Sequence, residues 1–331
     1  MNSKYRSAIG PVIGRFVKLK RSLGLNYREQ ANIFLTLDRF LTDSSSSHDL
    51  TAEAFRDWCQ SFTRLSDTGR RMWMQTVREF CLYRHRGEPG CFVPDPATFP
   101  ARHQPIRPYI FSPAEIRRLL DQSSNLARHP YSPLRPELFR LIIVLLFTTG
   151  LRHRELLRLT AGDYDPIERT LLIRASKFNK SRLLPLPDDV SREVDCYLNA
   201  CRYRRLMIRP EMPLVGQSYQ GWSTYSSHGL LRNVRLLLKL AKIQKPDGGW
   251  PRIHDFRHSF AVNAVLRWYR SGVDVQSKLP FLSAYMGHVN IASTYYYLHF
   301  VEPLAATASN RFARHYGALL SPPIKRKGGA R

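Results

Sequence analysis

The chain is short of everything that would mark a disulfide-stapled or metal-built fold. Its cysteines number five (Cys59, Cys81, Cys91, Cys196 and Cys201) and include no C-x-x-C pair. An odd, scattered set of this kind excludes a disulfide framework or a zinc finger and fits a reduced, intracellular compartment. A G-x-x-x-x-G-K-[ST] loop is missing, as is any dense Asp/Glu cluster of the sort a two-metal nuclease requires, so no nucleotide, metal or other cofactor is expected. Long apolar runs are missing too. The most apolar stretch, Leu138 to Phe147 (LFRLIIVLLF), is interrupted by Arg140 and too short to span a bilayer, which makes it a buried core helix. The N-terminus, MNSKYRSAIGPVIGRFVKLK, carries charge through its apolar positions and is not an ordinary signal peptide. No repeat of fixed period is present.

Acidic residues are scarce relative to basic ones. Lys plus Arg number 51 against 26 Asp plus Glu, giving a formal charge of +25 and a pI near 10.3. Such an excess calls for a polyanionic partner. The basic residues are spread along the chain and do not gather on one amphipathic helix or juxtamembrane cluster, which favours nucleic acid over a membrane surface.

At 331 residues two domains are expected. Four segments before residue 86 show helical spacing: Ile9, Ile13, Phe16 and Val17; Phe34, Leu37 and Leu41; Phe55, Trp58, Cys59 and Phe62; Trp73, Val77 and Phe80. They predict a small helical bundle over 1–86, with Ser44 to Ser47 as a spacer. Six prolines between Gly87 and Pro108 break any regular element and predict a linker over 87–108. Ser112 as N-cap, Pro113 at the first helical position and Glu115 in the first turn then open a second, mainly helical domain from about residue 109. Within it TLLIRA (170–175) and RLLPLP (182–187) flank the polar turn SKFNKS and predict a β-hairpin. Helical patterns follow over 190–207, 230–243 and 258–269. The fold class expected is mainly α with a small β-hairpin or sheet (α+β).

Three segments carry chemistry. In TTGLRHRELLRL, Gly150 permits a tight connection between the apolar helix and a new helix starting near Leu151, which places Arg152 at a helix N-terminus. Glu155, three residues on, either orients Arg152 or complements the helix dipole. In HDFRHSFA, the i, i+3 spacing of His254 and Arg257 puts both side chains on one helical face, where both can meet one phosphate. In YMGHVNIASTYYYLH, Gly287 and His288 read as a turn that opens a helix, and Tyr297 follows nine residues after His288. Taken singly, each segment has an ordinary structural reading: a capping Arg, a half-buried His, packing tyrosines.

Together and in this order they resemble the tyrosine recombinase (phage integrase) family, whose catalytic domain runs Arg, Lys, His-x-x-Arg, His and Tyr. TTGLRHREL is similar to the family's T-G-L-R-x-x-E-L box, HDFRHSFA to its H-x-L-R-H-T-F-A box, and GHVNIASTYYYLH to its G-H-x-x-x-x-T-x-x-Y-x-H box, whose spacing selects Tyr297 from the three tyrosines. The hairpin turn, SKFNKSRLLPL, is similar to the family's mobile catalytic turn and aligns Lys177 with the catalytic lysine, with Lys180 as the alternative. The resemblance covers roughly Phe111 to Tyr316. It implies a two-domain DNA clamp: a core-binding domain over 1–86, the linker, a catalytic domain over 109–316, and a basic flexible tail over 317–331.

It further implies a site-specific recombinase that breaks and rejoins DNA through a 3′-phosphotyrosyl bond. Arg152 and Arg257 would clamp the phosphate, His254 or His288 would assist the nucleophile Tyr297, and Lys177 would protonate the leaving oxygen. The implied partners are double-stranded DNA with inverted-repeat core sites and three further copies in a tetramer on DNA, with co-encoded recombinases as possible companions. The implied setting is the bacterial cytoplasm, in a mobile-element integrase or transposase. An Xer-type resolvase, a type IB topoisomerase-like enzyme and a non-catalytic DNA-binding accessory protein are the alternatives. The last would lack an Arg or the Tyr, and neither is missing here.

Overall fold

The computed structural model describes residues 4–43, 49–101, 107–174, 181–206, 208–218 and 221–288, together with Asn290 and Thr294. Lys177, Tyr297 and the whole stretch from 295 onward, including the expected tail, lie outside the described residues. The chain divides into two compact units, Met1–Ile106 and Arg107–Arg331.

The first unit holds α1 (Gly10–Ser22), α2 (Arg28–Asp43), α3 (Ala52–Gln60) and α4 (Asp67–His85). The residues picked out by helical spacing form its core: Ile13, Phe16, Phe34, Leu37, Trp58, Val77 and Phe80 are all buried. Phe16, Phe34 and Phe80 meet edge-on, with ring centroids 5.6 to 5.9 Å apart, an arrangement that adds to the energy of burial. Buried Asp38 on α2 ties down the chain before α1, accepting from the Ser7 backbone at 2.9 Å and the Ser7 hydroxyl at 2.6 Å. The proline-rich stretch from 87 to 101 lies on this unit. Phe99 is buried in the core with Phe92 and Val93 beside it, and Arg78 donates to the Pro94 carbonyl at 2.6 Å.

The second unit is built around α6 (Arg135–Thr149). Every residue from Leu141 to Leu146 is buried. The middle of the helix has no polar face because neighbours pack against it: α5 (Pro113–Ser124), α8 (Asp188–Tyr203) and α10 (Ile253–Arg270). Ser112 caps α5 through the Glu115 amide, and the Glu115 carboxylate returns the bond to the Ser112 amide at 2.8 Å, a complete capping box. Also present are α7 (His153–Leu156), α9 (Ser227–Leu240) and α11 (Val275–Met286).

The hairpin forms as β2 (Thr170–Ile173) against β3 (Arg182–Pro185), antiparallel, with Leu171 opposite Leu184 and Ile173 opposite Arg182. A short strand that the sequence did not announce, β1 (Tyr164–Asp165), adds a third member in the order β1-β2-β3. A second small ladder joins β4 (Gly216–Gln217) to β5 (Ser223–Thr224). The unit is thus mostly helical with small antiparallel sheets, the class expected.

Two local readings change. The helix bearing His254 and Arg257 starts five residues before the periodic pattern suggested, at Ile253, because the buried Asp255 carboxylate accepts the Arg252 amide at 2.8 Å and anchors the first turn. Gly287 closes the helix before it, a role not read from the sequence. It is the left-handed C-cap of α11, with φ +66° and its amide on the Ala284 carbonyl, a position that glycine fills without the clash a Cβ would bring.

No helix among the described residues is long and apolar enough to cross a membrane.

Because Ile142 is fully buried at the centre of α6, Ile142→Ala should destabilise the protein by about 2 to 5 kcal/mol. A urea midpoint unchanged from wild type in circular dichroism would contradict a core organised on α6.

Candidate active site

The end of α11 organises the site. The last carbonyls of a helix have no partner within it, and the helix dipole makes that end negative. Here three consecutive carbonyls each receive a different arginine. Arg182 donates from Nε to the Tyr285 carbonyl at 2.8 Å. Arg257 donates from Nη2 to Met286 at 2.6 Å, and Arg152 from Nη2 to Gly287 at 3.0 Å. Arg257, only 1% exposed, also reaches the Gly150 carbonyl at 2.6 Å. It therefore joins the C-terminal ends of α6 and α11.

Gly150 itself adopts φ +62°, and a Cβ there would lie 2.6 Å from the Phe260 ring. The reversal that delivers Arg152 to the site thus needs glycine for both backbone and space. Arg152 stands at the N-cap of α7, whose first residue is His153, two residues after the start read from the sequence.

Glu155 settles the alternatives left open for it. Buried at 6% exposure, its carboxylate accepts Arg152 Nη1 at 2.7 Å and the Arg152 amide at 3.1 Å. It also accepts Arg182 Nη1 at 3.2 Å and Nη2 at 2.9 Å. It orients two arginines and caps the first turn of α7 at once. Burial pushes its carboxyl pKa up, but the hydrogen bonds and charge of Arg182, reinforced by Arg152, overcome this and hold it at about 2.

The histidines lie in the field of these cations. Desolvation is the largest influence lowering the His288 imidazole to about 3, followed by Arg257, Arg152, Arg182 and His254. Its Nδ1 is 2.8 Å from the Thr294 hydroxyl, and its amide bonds the Ser283 carbonyl at 2.9 Å as the chain leaves α11. His254 keeps an exposed surface, yet desolvation again leads in bringing its imidazole to about 4, with His258, Arg257 and Arg252 adding to the effect. His258, whose ring meets His254 edge-on at 4.8 Å, is likewise lowered to about 4 by burial and then by Arg252 and Arg257. At neutral pH all three are uncharged hydrogen-bonding groups beside fixed positive charge.

The structure thus gathers Arg152, His254, Arg257 and His288, four of the six residues singled out from the sequence. Arg182 was missed. The signal was present: in RLLPLP strict alternation puts Arg182 on the face of buried Leu184, and an inward-facing Arg needs a buried carboxylate. Chemically the cluster holds more guanidinium than carboxylate charge around neutral imidazoles, a constellation suited to a phosphate-like anion.

Comparison with known proteins identifies the family. The model of the phage integrase family matches residues 110–302. The Sinorhizobium fredii protein y4rB, named for an integrase/recombinase, is 30% identical over 94% of this chain and 98% of its own length. A second protein of that organism, y4rE, is 29% identical over 92% and 95%. Among solved structures, the Tn1549 transposon integrase in complex with circular intermediate DNA superposes with a TM-score of 0.60 at 17% identity, covering 92% of this chain and 99% of that one. XerH recombinase bound to palindromic difH substrate gives 0.60 at 18%, covering 90% and 83%. At such identities the structural likeness speaks for the fold alone. The chain belongs to the phage integrase family. It is a tyrosine-type site-specific recombinase, a DNA strand transferase.

The depressed histidines make stability pH-dependent in a fixed direction. Their folded pKa values lie below the ordinary 6.5, so the unfolded chain binds protons first. The stability they confer is complete above pH 6.5 and is lost as pH falls toward 4 and 3. Glu155 acts in the same sense lower down, between 4.5 and about 2. Urea unfolding followed from pH 7 to 4 should show a steady fall that is shallower in His288→Gln; identical slopes would place His288 outside the cationic cluster.

Proposed function

We propose that the chain joins and separates DNA at inverted-repeat sites through a covalent bond between Tyr297 and a 3′-phosphate, as the recombinase of a bacterial mobile element acting in the cytoplasm. The observation that carries this reading is the convergence of Arg152 and Arg257 on adjacent carbonyls of one helix end, beside neutral His254 and His288.

In the proposed reaction the phenolic oxygen of Tyr297 attacks the scissile phosphorus while the bond to the 5′ oxygen breaks. Negative charge gathers on the nonbridging oxygens, where preorganised guanidinium donors are worth most. Arg152 suits that role. It has five N–H donors, two of which are held by Glu155 and Gly287, and its side chain is 25% exposed. Arg257 supplies charge from beneath. A phenol with an ordinary pKa near 10 must shed its proton during attack, and a neutral imidazole can accept it. His288, with Nδ1 engaged by Thr294, and His254 both remain candidates to do so. Lys177 donates a proton to the departing 5′ oxygen. The free 5′-hydroxyl of a partner strand then attacks the phosphotyrosine, regenerates Tyr297 and restores the phosphodiester without nucleotide or metal.

Exchange between two sites calls for four protomers on two DNA duplexes, with co-encoded recombinases as possible members of that assembly. The basic composition, +25 overall, supports DNA as the partner. Two relatives in one organism, y4rB and y4rE, are consistent with a lineage in which several such proteins coexist.

Tyr297→Phe keeps the ring and removes the nucleophile. It should leave site binding within a few-fold of wild type while abolishing the covalent adduct that a nicked suicide substrate traps; an adduct surviving in the Phe variant would move the nucleophile to Tyr295 or Tyr296. Lys177 is tested through the leaving group, because a 5′-bridging phosphorothiolate departs as a thiolate and needs little protonation. Lys177→Ala should be slow on ordinary DNA and recover on the sulfur substrate. Equal defects on both would turn attention to Lys180.

A further inference from the structure

Arg182 occupies an unusual place for a strand residue. It is the first β3 residue after the hairpin turn, paired with Ile173, and its side chain is 12% exposed. Nε is on the Tyr285 carbonyl and the two Nη atoms are on the two oxygens of Glu155. A carboxylate offers about four lone-pair sites. On Glu155, Oε1 takes Arg152 Nη1 and Arg182 Nη1, while Oε2 takes the Arg152 amide and Arg182 Nη2. All four are filled.

That occupancy has a consequence for Arg152. An Arg beside a lone buried carboxylate closes on it through two parallel N–H···O bonds. Here the second prong is barred because Arg182 already holds both oxygens, so Arg152 is limited to one side-chain bond to Glu155 and turns its other nitrogen to the Gly287 carbonyl. Gly287 completes the arrangement: a Cβ at this position would sit 2.7 Å from Arg182 Nη1.

We propose that Arg182 is a positioning residue of the recombination site: by occupying Glu155 with both prongs it keeps the Arg152 fork from closing on that carboxylate and leaves it directed at the scissile phosphate. The inference rests on the reading of Arg152 as a phosphate ligand. Arg182 itself touches no DNA in this account. Its effect passes through Glu155, and the grip needs the planar guanidinium, since an ammonium cannot span two oxygens and a third carbonyl together.

The test is a set of single-turnover cleavage rates on a nicked suicide substrate at saturating DNA, with site affinity and thermal midpoint measured alongside. Arg182→Ala should slow cleavage on the order of a hundredfold, as expected for a displaced reacting group, while site affinity changes less than a few-fold. Arg182→Lys, which keeps the charge and guards against simple unfolding, should melt close to wild type and still cleave slowly. Against Glu155→Gln, and again against Arg152→Ala, the added Arg182→Ala should cost little further, because the path through which it acts is already broken. Rates that multiply in those double variants, or an Arg182→Lys protein that cleaves as wild type, would overturn the positioning role. Arg152→Ala cleaving at the wild-type rate would instead remove the phosphate-ligand reading on which it rests.

Discussion

Three guanidinium groups crowd onto the end of α11, and the second unit is arranged so that they can stay there. Positive charges this close repel one another, and the carboxylate set against Arg152 and Arg182 is the same one, Glu155. The remaining compensation comes from backbone: the carbonyls of Tyr285, Met286 and Gly287, orphaned by the end of the helix and aligned with its negative pole. A helix terminus is a good template for this purpose because its geometry is fixed by the whole helix behind it. The left-handed turn at Gly287 keeps the third carbonyl within reach and leads directly into His288.

The electrostatic state of the histidines follows from the same crowding. With the arginines fixed, every added proton in the cluster meets positive charge in a poorly solvated setting, and His254, His258 and His288 all titrate far below their ordinary range. The resting site is therefore rich in cation and in neutral imidazole, and short of anion. In the proposed reaction a phosphodiester entering it supplies the missing negative charge. Differential stabilisation of the charge that builds up in the transition state then comes from groups already oriented, with no reorganisation left to perform at the moment of reaction.

Holding that arrangement is the business of the core. The apolar helix α6, buried from Leu141 to Leu146, ends at Gly150, whose carbonyl takes Arg257 and whose turn hands the chain on to Arg152. The β2–β3 ladder brings Arg182 to Glu155 from a third direction. The anchors from Arg152 to Gly287 and from Arg257 to Gly150 each join segments more than a hundred residues apart. Close packing makes such links stiff, so that a displacement of α11 would be felt by all three arginines together.

Much of this was legible in the chain. The four helical segments of the first unit, the buried helix over Leu138 to Phe147, the Ser112 cap and the hairpin pairing all follow from periodicity, capping chemistry and strand propensity, which act over a few residues. Arg152, His254, Arg257 and His288 stood out because their boxes occur together and in order. The sequence could not assign a partner to Glu155, nor reveal that Arg182 shares it, nor show that Gly287 ends a helix. Those facts depend on which distant segments meet. The excess of arginine and the boxes that carry it were determined by sequence alone; that three of those arginines share one helix end, and two of them one carboxylate, was decided by tertiary packing, because hydrogen-bond partners 27 to 135 residues away leave no local periodicity to read.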